Sequence, residues 1–211
     1  MGAVAIDHVR ERFGLGRTVA YRRTAALTRA GLLARSRILH DEPALLHTTP
    51  AGLRYVGLPL EAPRLSPGSI THWIACADVW LLLERRIAAR QVIGVRELAF
   101  SERAERRAIA SAKVGELPNG SPRLHRPDLA LLGGERPIAV EVELTPKAPQ
   151  RLARIMDGWR KASCVERVLY VCGTASTRRG VERAVRRAYA EDRIDIVGMG
   201  DLASISLVDR S

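Results

Sequence analysis

The sequence predicts an α/β protein built in two parts, and three observations predict it. A stretch broken by Pro and Gly, Gly57 to Gly68, separates a short basic segment from a longer one. The short segment reads as helices followed by a hairpin. The longer one alternates strands with amphipathic helices, the pattern of helices packed on a sheet. On this reading residues 1–62 form one domain and residues 67–211 form a second, of α/β type.

Composition narrows the class. The chain has 211 residues, 46% hydrophobic and 27% charged, enough for real cores and unlike a disordered protein. The longest apolar run, from Ile74 to Leu83, is broken by Asp78 and too short to span a bilayer. The first residues, MGAVAIDHVRERF, do not have the pattern of a signal peptide. Cys76, Cys164 and Cys172 are odd in number and lack C-x-x-C spacing. They predict free thiols in a reducing, cytoplasmic compartment. Lys and Arg number 34 against 23 acids, a net charge of +11, which favours a polyanionic partner and above all nucleic acid. Only three of the 34 are lysines: Lys113, Lys147 and Lys161.

The first segment is the more densely positive, with ten arginines against five acids over residues 1–66. Asp7 is placed to cap a short helix through Phe13, with Val9 and Phe13 on one face. Gly14 and Gly16 turn the chain. A second helix spans about Thr18 to Ala30 and ends at Gly31. Its predicted apolar stripe is Val19, Ala26, Leu27 and Ala30. Its other face carries Arg17, Thr18, Tyr21, Arg22, Thr28 and Arg29. ARSRIL, a polar turn at His40-Asp41-Glu42-Pro43, and ALLHT read as a hairpin. Thr49-Pro50 starts another short helix, with Thr as cap and Pro in its first position.

This order, carried by TVAYRRTAALTRAGLL, the hairpin and HTTPAG, resembles a winged helix-turn-helix domain. The resemblance implies double-stranded DNA as partner. Arg17, Thr18, Tyr21 and Arg22 would enter the major groove, and Arg35 and Arg37 on the wing would reach the backbone. Residues 1–6 hold no counterpart of the full helix that usually precedes the turn helix.

In the second segment a largely buried helix is predicted from about Ile70 to Arg90, then a strand from Gln91 to Arg96. ELAFSERAERRA reads as helix or loop, and LPNGSPRLHRP as turns. Strands follow at Asp128–Leu132 and Ile138–Leu144, a helix at Pro149–Lys161, and a strand at Val168–Val171. The chain closes with a helix at Thr177–Ala190 and a strand at Ile194–Val197.

The chemistry concentrates on the pair PDLALL and PIAVEVEL. A four-residue loop, Gly133 to Arg136, sets Asp128 opposite Glu141 and Leu132 opposite Pro137. One face then carries Leu129, Leu131, Ile138, Val140 and Val142, an apolar core face. The other carries Asp128, Ala130, Leu132, Ala139, Glu141 and Glu143. Three carboxylates on one face repel, and a hard divalent cation such as Mg²⁺ relieves the repulsion. The competing reading puts Glu141 and Glu143 at an exposed strand end, paired with arginines.

The stretch HRPDLALLGGERPIAVEVELTPK resembles the PD-(D/E)XK nuclease core, and within it the replication-relaxation family of actinobacterial mobile elements. That resemblance implies a winged helix joined to a nuclease-like α/β domain, acting in plasmid replication or mobilisation. It makes Asp128 and Glu141 the metal-binding acids, for Mg²⁺ or Mn²⁺. Glu143 stands where the family's lysine is expected, so Lys147, or Arg151 or Arg154 on the next helix, would take the lysine's part. The predicted catalytic set is Asp128, Glu141, Glu143 and Lys147. Asp78 and Glu84 are candidates for a further acid from the first long helix, and His125 for a general base. No G-x-x-x-x-G-K-[ST] loop and no His-x-His pair is present, and Tyr170 lies inside a strand. Two function classes stand: a metal-dependent DNA nuclease or nicking protein, and a non-catalytic DNA-binding regulator on a nuclease-like scaffold. No membrane partner is expected, and a homodimer is compatible with the sequence.

Overall fold

The protein is described by a computed structural model over residues 2–38, 43–87 and 89–204. It forms two compact units, Met1–Leu81 and Leu82–Ser211, both mixed in helix and strand. The Pro- and Gly-rich stretch lies within the first unit. Leu65 and the start of the following helix, at Ile70, pack there against Ala3, Ala5 and Leu45.

The first unit begins with a two-residue strand, β1 (Val4–Ala5), then helices α1 (Ile6–Phe13) and α2 (Arg17–Arg29). Strands β2 (Leu33–Ser36) and β3 (Leu45–Thr48) follow, then α3 (Pro50–Tyr55) and α4 (Ile70–Arg86). Strand β3 pairs antiparallel with both neighbours, Leu46 meeting Val4 on one side and Arg35 on the other, so the order is β1–β3–β2. β1 is too short to leave a periodic trace. The expected turn at His40-Asp41-Glu42 lies outside the described residues.

Two local expectations are corrected in this unit. Asp7 does not cap α1. Ala5 occupies the cap position and its N–H donates to Nδ1 of the buried His8 at 3.0 Å, while Asp7 pairs with Arg10 at 2.7 Å. The packed face of α2 is Ala20 and Thr24; Ala26, Leu27 and Ala30 are exposed. Thr24 can be buried because its hydroxyl donates to the Ala20 carbonyl at 2.8 Å, which satisfies it within the helix and leaves the methyl to pack. Helix α3 starts as expected. Thr49 accepts the Gly52 N–H at 3.0 Å, with Pro50 in the first turn. Gly52 is required there, because a Cβ would stand 2.1 Å from the Leu32 carbonyl oxygen.

The second unit holds the end of α4, then β4 (Gln91–Gly94), α5 (Val95–Glu105), β5 (Ala112–Glu116) and β6 (Pro122–His125). β7 (Leu129–Leu132), β8 (Ile138–Glu143), α6 (Pro149–Lys161), β9 (Arg167–Cys172), α7 (Ala175–Ala188) and β10 (Ile194–Gly198) complete it. The main sheet has the order β10–β9–β8–β7–β4. β8, β9 and β10 run parallel, joined through α6 and α7, while β7 and β4 are antiparallel to their neighbours. The β7–β8 register sets Leu129 against Val140 and Leu131 against Ile138, as the loop length predicts.

Several boundaries differ from the sequence reading. The first long helix stops at Arg86 rather than Arg90. β4 ends at Gly94, which is the N-cap of α5: Glu97, three residues on, accepts the Gly94 N–H, so the charged stretch is helical from Val95. The turn-rich stretch is largely a hairpin. β5 and β6 pair, and only residues 117–121 form its turn. AKVGE has neither alternation nor a run of β-branched residues, so nothing in the sequence marks it as a strand.

Helix α6 buries Leu152, Ile155, Met156 and Trp159, a regular helical stripe. These residues share one core with Ala130, Ala139 and Tyr170. The sheet face that carries the acids is therefore core as well, and β8 is buried at all six positions. Gly158 lets α6 approach β5, where a Cβ would meet the Lys113 carbonyl oxygen at 2.9 Å. Among the described residues no helix is long and apolar enough to cross a membrane.

Candidate functional site

The acidic residues lie where β7 and β8 leave the middle of the sheet. The Asp128 carbonyl accepts the Val95 N–H at 3.0 Å. Its carboxylate accepts the Val142 N–H through Oδ2 at 2.9 Å, a side-chain bond that continues the β7–β8 ladder. Glu141 is only 3% exposed, and one carboxylate oxygen lies 2.6 Å from Nε2 of His125 at the end of β6. The Trp159 ring meets the His125 ring edge-on at 5.7 Å, which holds the imidazole against α6.

Burial raises the pKa of Glu141, and the negative charge of Asp128 adds to the rise. The hydrogen bond and charge of His125, and the charge of Lys147, oppose it. Glu143 is also buried, and Lys147, four residues later in the loop before α6, pairs with it. The expected exposed strand end is thus corrected. Both glutamates are inside, and their partners are a histidine and a lysine rather than arginines. A buried carboxylate with a raised pKa and a bonded imidazole is equipped to hold and pass a proton.

Arg151 and Arg154 lie on the next helix. They are exposed on α6, where they line a cavity of about 230 Å³ together with Arg123 and His125. Asp78, on α4 in the first unit, is bonded to His8 at 2.9 Å. Tyr170 is fully buried and its hydroxyl completes no hydrogen bond among the described residues; burial, then the charges of Glu141 and Glu143, push its pKa well up, and the neighbouring Trp159 indole opposes the rise. That is a core tyrosine and no nucleophile. Among the described residues Cys76, Cys164 and Cys172 form no disulfide, and burial raises the pKa of Cys164 and takes Cys172 to about 11, which disfavours their thiolates.

In the first unit three of the residues expected to contact DNA, Arg17 and Tyr21 on α2 and Arg35 on β2, are brought together. The guanidinium groups of Arg17 and Arg35 stand 5.9 and 5.6 Å from the ring centre of Tyr21, so a half-buried tyrosine links helix and hairpin. Thr18, Arg22 and Arg37 are exposed.

His125 is the site residue whose partner the sequence left open. Its pairing with Glu141 requires β6, the strand with no visible pattern. No family model, no curated protein and no solved structure matches the chain.

Proposed function

We propose that the chain binds duplex DNA through its first unit and cleaves a phosphodiester bond with the help of Mg²⁺ or Mn²⁺ in its second. The observation that carries this reading is the proximity of Asp128, just before β7, to Glu141 on β8, with Lys147 in the same field and His125 bonded to the glutamate. In the second unit the adjacent sheet strands β4, β7 and β8, followed by α6 and β9, support the resemblance to the PD-(D/E)XK core; α5 and the β5–β6 hairpin are inserted between β4 and β7. In the first unit the β1–β3–β2 order behind α2 supports the winged helix-turn-helix reading, and the replication-relaxation family remains the proposed relative.

The donor set fits the cation. Asp128 and Glu141 supply hard oxygens, and Mg²⁺ sites commonly use one or two carboxylates completed by water. Bound there, the cation would neutralise charge on the phosphate and lower the pKa of a water. The chain's own residues would do the remaining work. His125 orients Glu141 and takes or returns its proton. The Val142 N–H fixes Asp128. Lys147 supplies positive charge near the acids, where a phosphate would develop negative charge.

A second reading has its own observation. Glu143 occupies the family's lysine position and is already neutralised by Lys147, which ties that ammonium down. On this reading the second unit is a scaffold and the protein a DNA-binding regulator. A Mn²⁺ titration followed by thermal melting separates the two. At ten times its Kd a cation stabilises the folded unit by roughly 1.4 kcal/mol, a Tm rise of about 5 °C. Asn at position 128 keeps an acceptor for the Val142 N–H, so Asp128→Asn should fold and lose most of the rise. Equal shifts in both proteins would put the scaffold reading first.

A further inference from the structure

The larger cavity of the second unit has a different character from the acidic site. It encloses about 930 Å³ between the end of α5, the β5–β6 hairpin and α6. Arg103, Arg106 and Arg107 line it from α5 and the turn that follows. Arg126 enters from the end of β6, and Arg154 and Lys161 from α6. Two acids share the lining, and both are engaged. Glu102 is buried, accepts the Ile109 and Ala110 N–H groups, and holds Arg126 at 2.9 Å. Asp157 is paired with Arg160 and Lys161. Arg103, Arg106 and Arg154 are exposed and have no ion-pair partner among the described residues.

Two further facts show that these cations are organised. Arg106 sits in the left-handed region at φ 54°, a conformation that favours glycine, and yet carries a long charged side chain. Glu102 fixes the turn after it and anchors Arg126 at the same time, so the cleft wall rests on a buried carboxylate. The cleft also leads somewhere. Val114, Leu124 and Arg154 line both this cavity and the smaller one that reaches His125.

We propose that this arginine-lined cleft is a track for the phosphate backbone of duplex DNA, running past Arg154 to His125 and Glu141. The inference rests on the reading that DNA is the partner, and adds a second contact surface in the second unit. Cations without partners, arranged along a groove, match a polyanion of regular charge spacing. Among the described residues no aromatic side chain lines the cleft, so they supply no stacking platform of the kind on which unpaired bases are held. Its contacts would position DNA without reading its sequence.

The test uses the full chain and a labelled 30-base-pair duplex, with anisotropy measured across a range of NaCl concentrations. The variant combines Arg103→Ala, Arg106→Gly and Arg154→Ala. Glycine at 106 suits the backbone there, and none of the three side chains holds a partner, so circular dichroism should show an intact fold. Each lost phosphate contact lowers the salt slope by about 0.9, so the triple variant should lose 2 to 3 from the slope and bind more than tenfold weaker. In an Arg22→Glu background, residual binding should persist and then vanish when the triple change is added. An unchanged slope in the triple variant, or residual binding that it leaves untouched, overturns the proposal. So does a preference of the residual binding for single-stranded over duplex DNA. If Arg22→Glu alone has no effect and the triple variant alone abolishes binding, the cleft stands and the winged unit's role falls. If no duplex is bound by the wild type, both fall together.

Discussion

Replacing His125 with Ala should destabilise the second unit, and by an amount that grows with pH. The Glu141 carboxylate is 3% exposed and its hydrogen-bonded partner is His125 at 2.6 Å. Removing the imidazole leaves the buried carboxylate without its hydrogen-bond partner, at a cost of about 1–3 kcal/mol, and more when the group left is charged. Glu141 can limit that cost by taking up a proton. Burial already raises its folded pKa above the ordinary 4.5, and loss of the histidine, which lowers it, raises it further. A carboxyl whose folded pKa is raised contributes its full stability below the unfolded pKa and loses it as pH rises through the folded pKa. The penalty of His125→Ala should therefore be small near pH 4.5 and reach several kcal/mol by pH 8. Glu141→Gln, which carries no charge to strand, should flatten the pH dependence both alone and with His125→Ala. Native-state hydrogen exchange at the Val142 and Tyr170 amides reads the second unit by itself, which a melt of a two-unit chain does not. A His125→Ala penalty that is equal at both pH values, or below 1 kcal/mol at pH 8, would refute the reasoning.

Other outcomes follow from single contacts. Gly158→Ala should cost about 1–3 kcal/mol, because the added Cβ meets the Lys113 carbonyl oxygen and backbone must move; a neutral effect in urea unfolding would contradict the α6–β5 approach. Tyr170→Phe should be neutral or stabilising by about 1 kcal/mol, since its buried hydroxyl completes no hydrogen bond, and a clear loss of thermal stability would show a partner for it. Arg22→Glu, on an exposed position of α2, should leave the circular dichroism spectrum intact and weaken duplex binding in a salt-dependent way. Binding as tight as wild type at low salt would remove α2 from the interface.

How much of this was legible in the sequence depended on the kind of order involved. The β7–β8 register followed from loop length and from a period of two, because a one-residue slip would have turned the apolar set of PIAVEVEL around. Helix α6 matched its expected limits, Pro149 to Lys161, because Pro opens it and its apolar stripe is regular. Thr49-Pro50 marked α3 for the same local reason. Tertiary order was less visible. The stripe chosen for α2 ranked Leu27 and Ala26 above Thr24, since hydropathy does not register that a threonine can satisfy its hydroxyl inside its own helix. β1 and β5 hold their places by pairing, with no pattern of their own to announce them. The burial of Glu141 and Glu143 was hidden because α6 covers the acidic face, and that packing joins residues far apart in sequence. The pair PD…E, Lys147 and His125 were visible in the sequence, but that His125 bonds Glu141 and Lys147 pairs with Glu143 needed the fold.

The central claim is that Asp128 and Glu141 form a cation-dependent cutting site on DNA that the rest of the chain holds. Its most direct test is the conversion of supercoiled plasmid to nicked circles with Mg²⁺ or Mn²⁺, for wild type, Asp128→Asn and Glu141→Gln at matched DNA occupancy. The account predicts that wild type nicks only with the cation present, and that both variants bind the plasmid and fail to cut it. A wild type that binds but leaves the plasmid supercoiled with either cation, or variants that nick as fast as wild type, would contradict it.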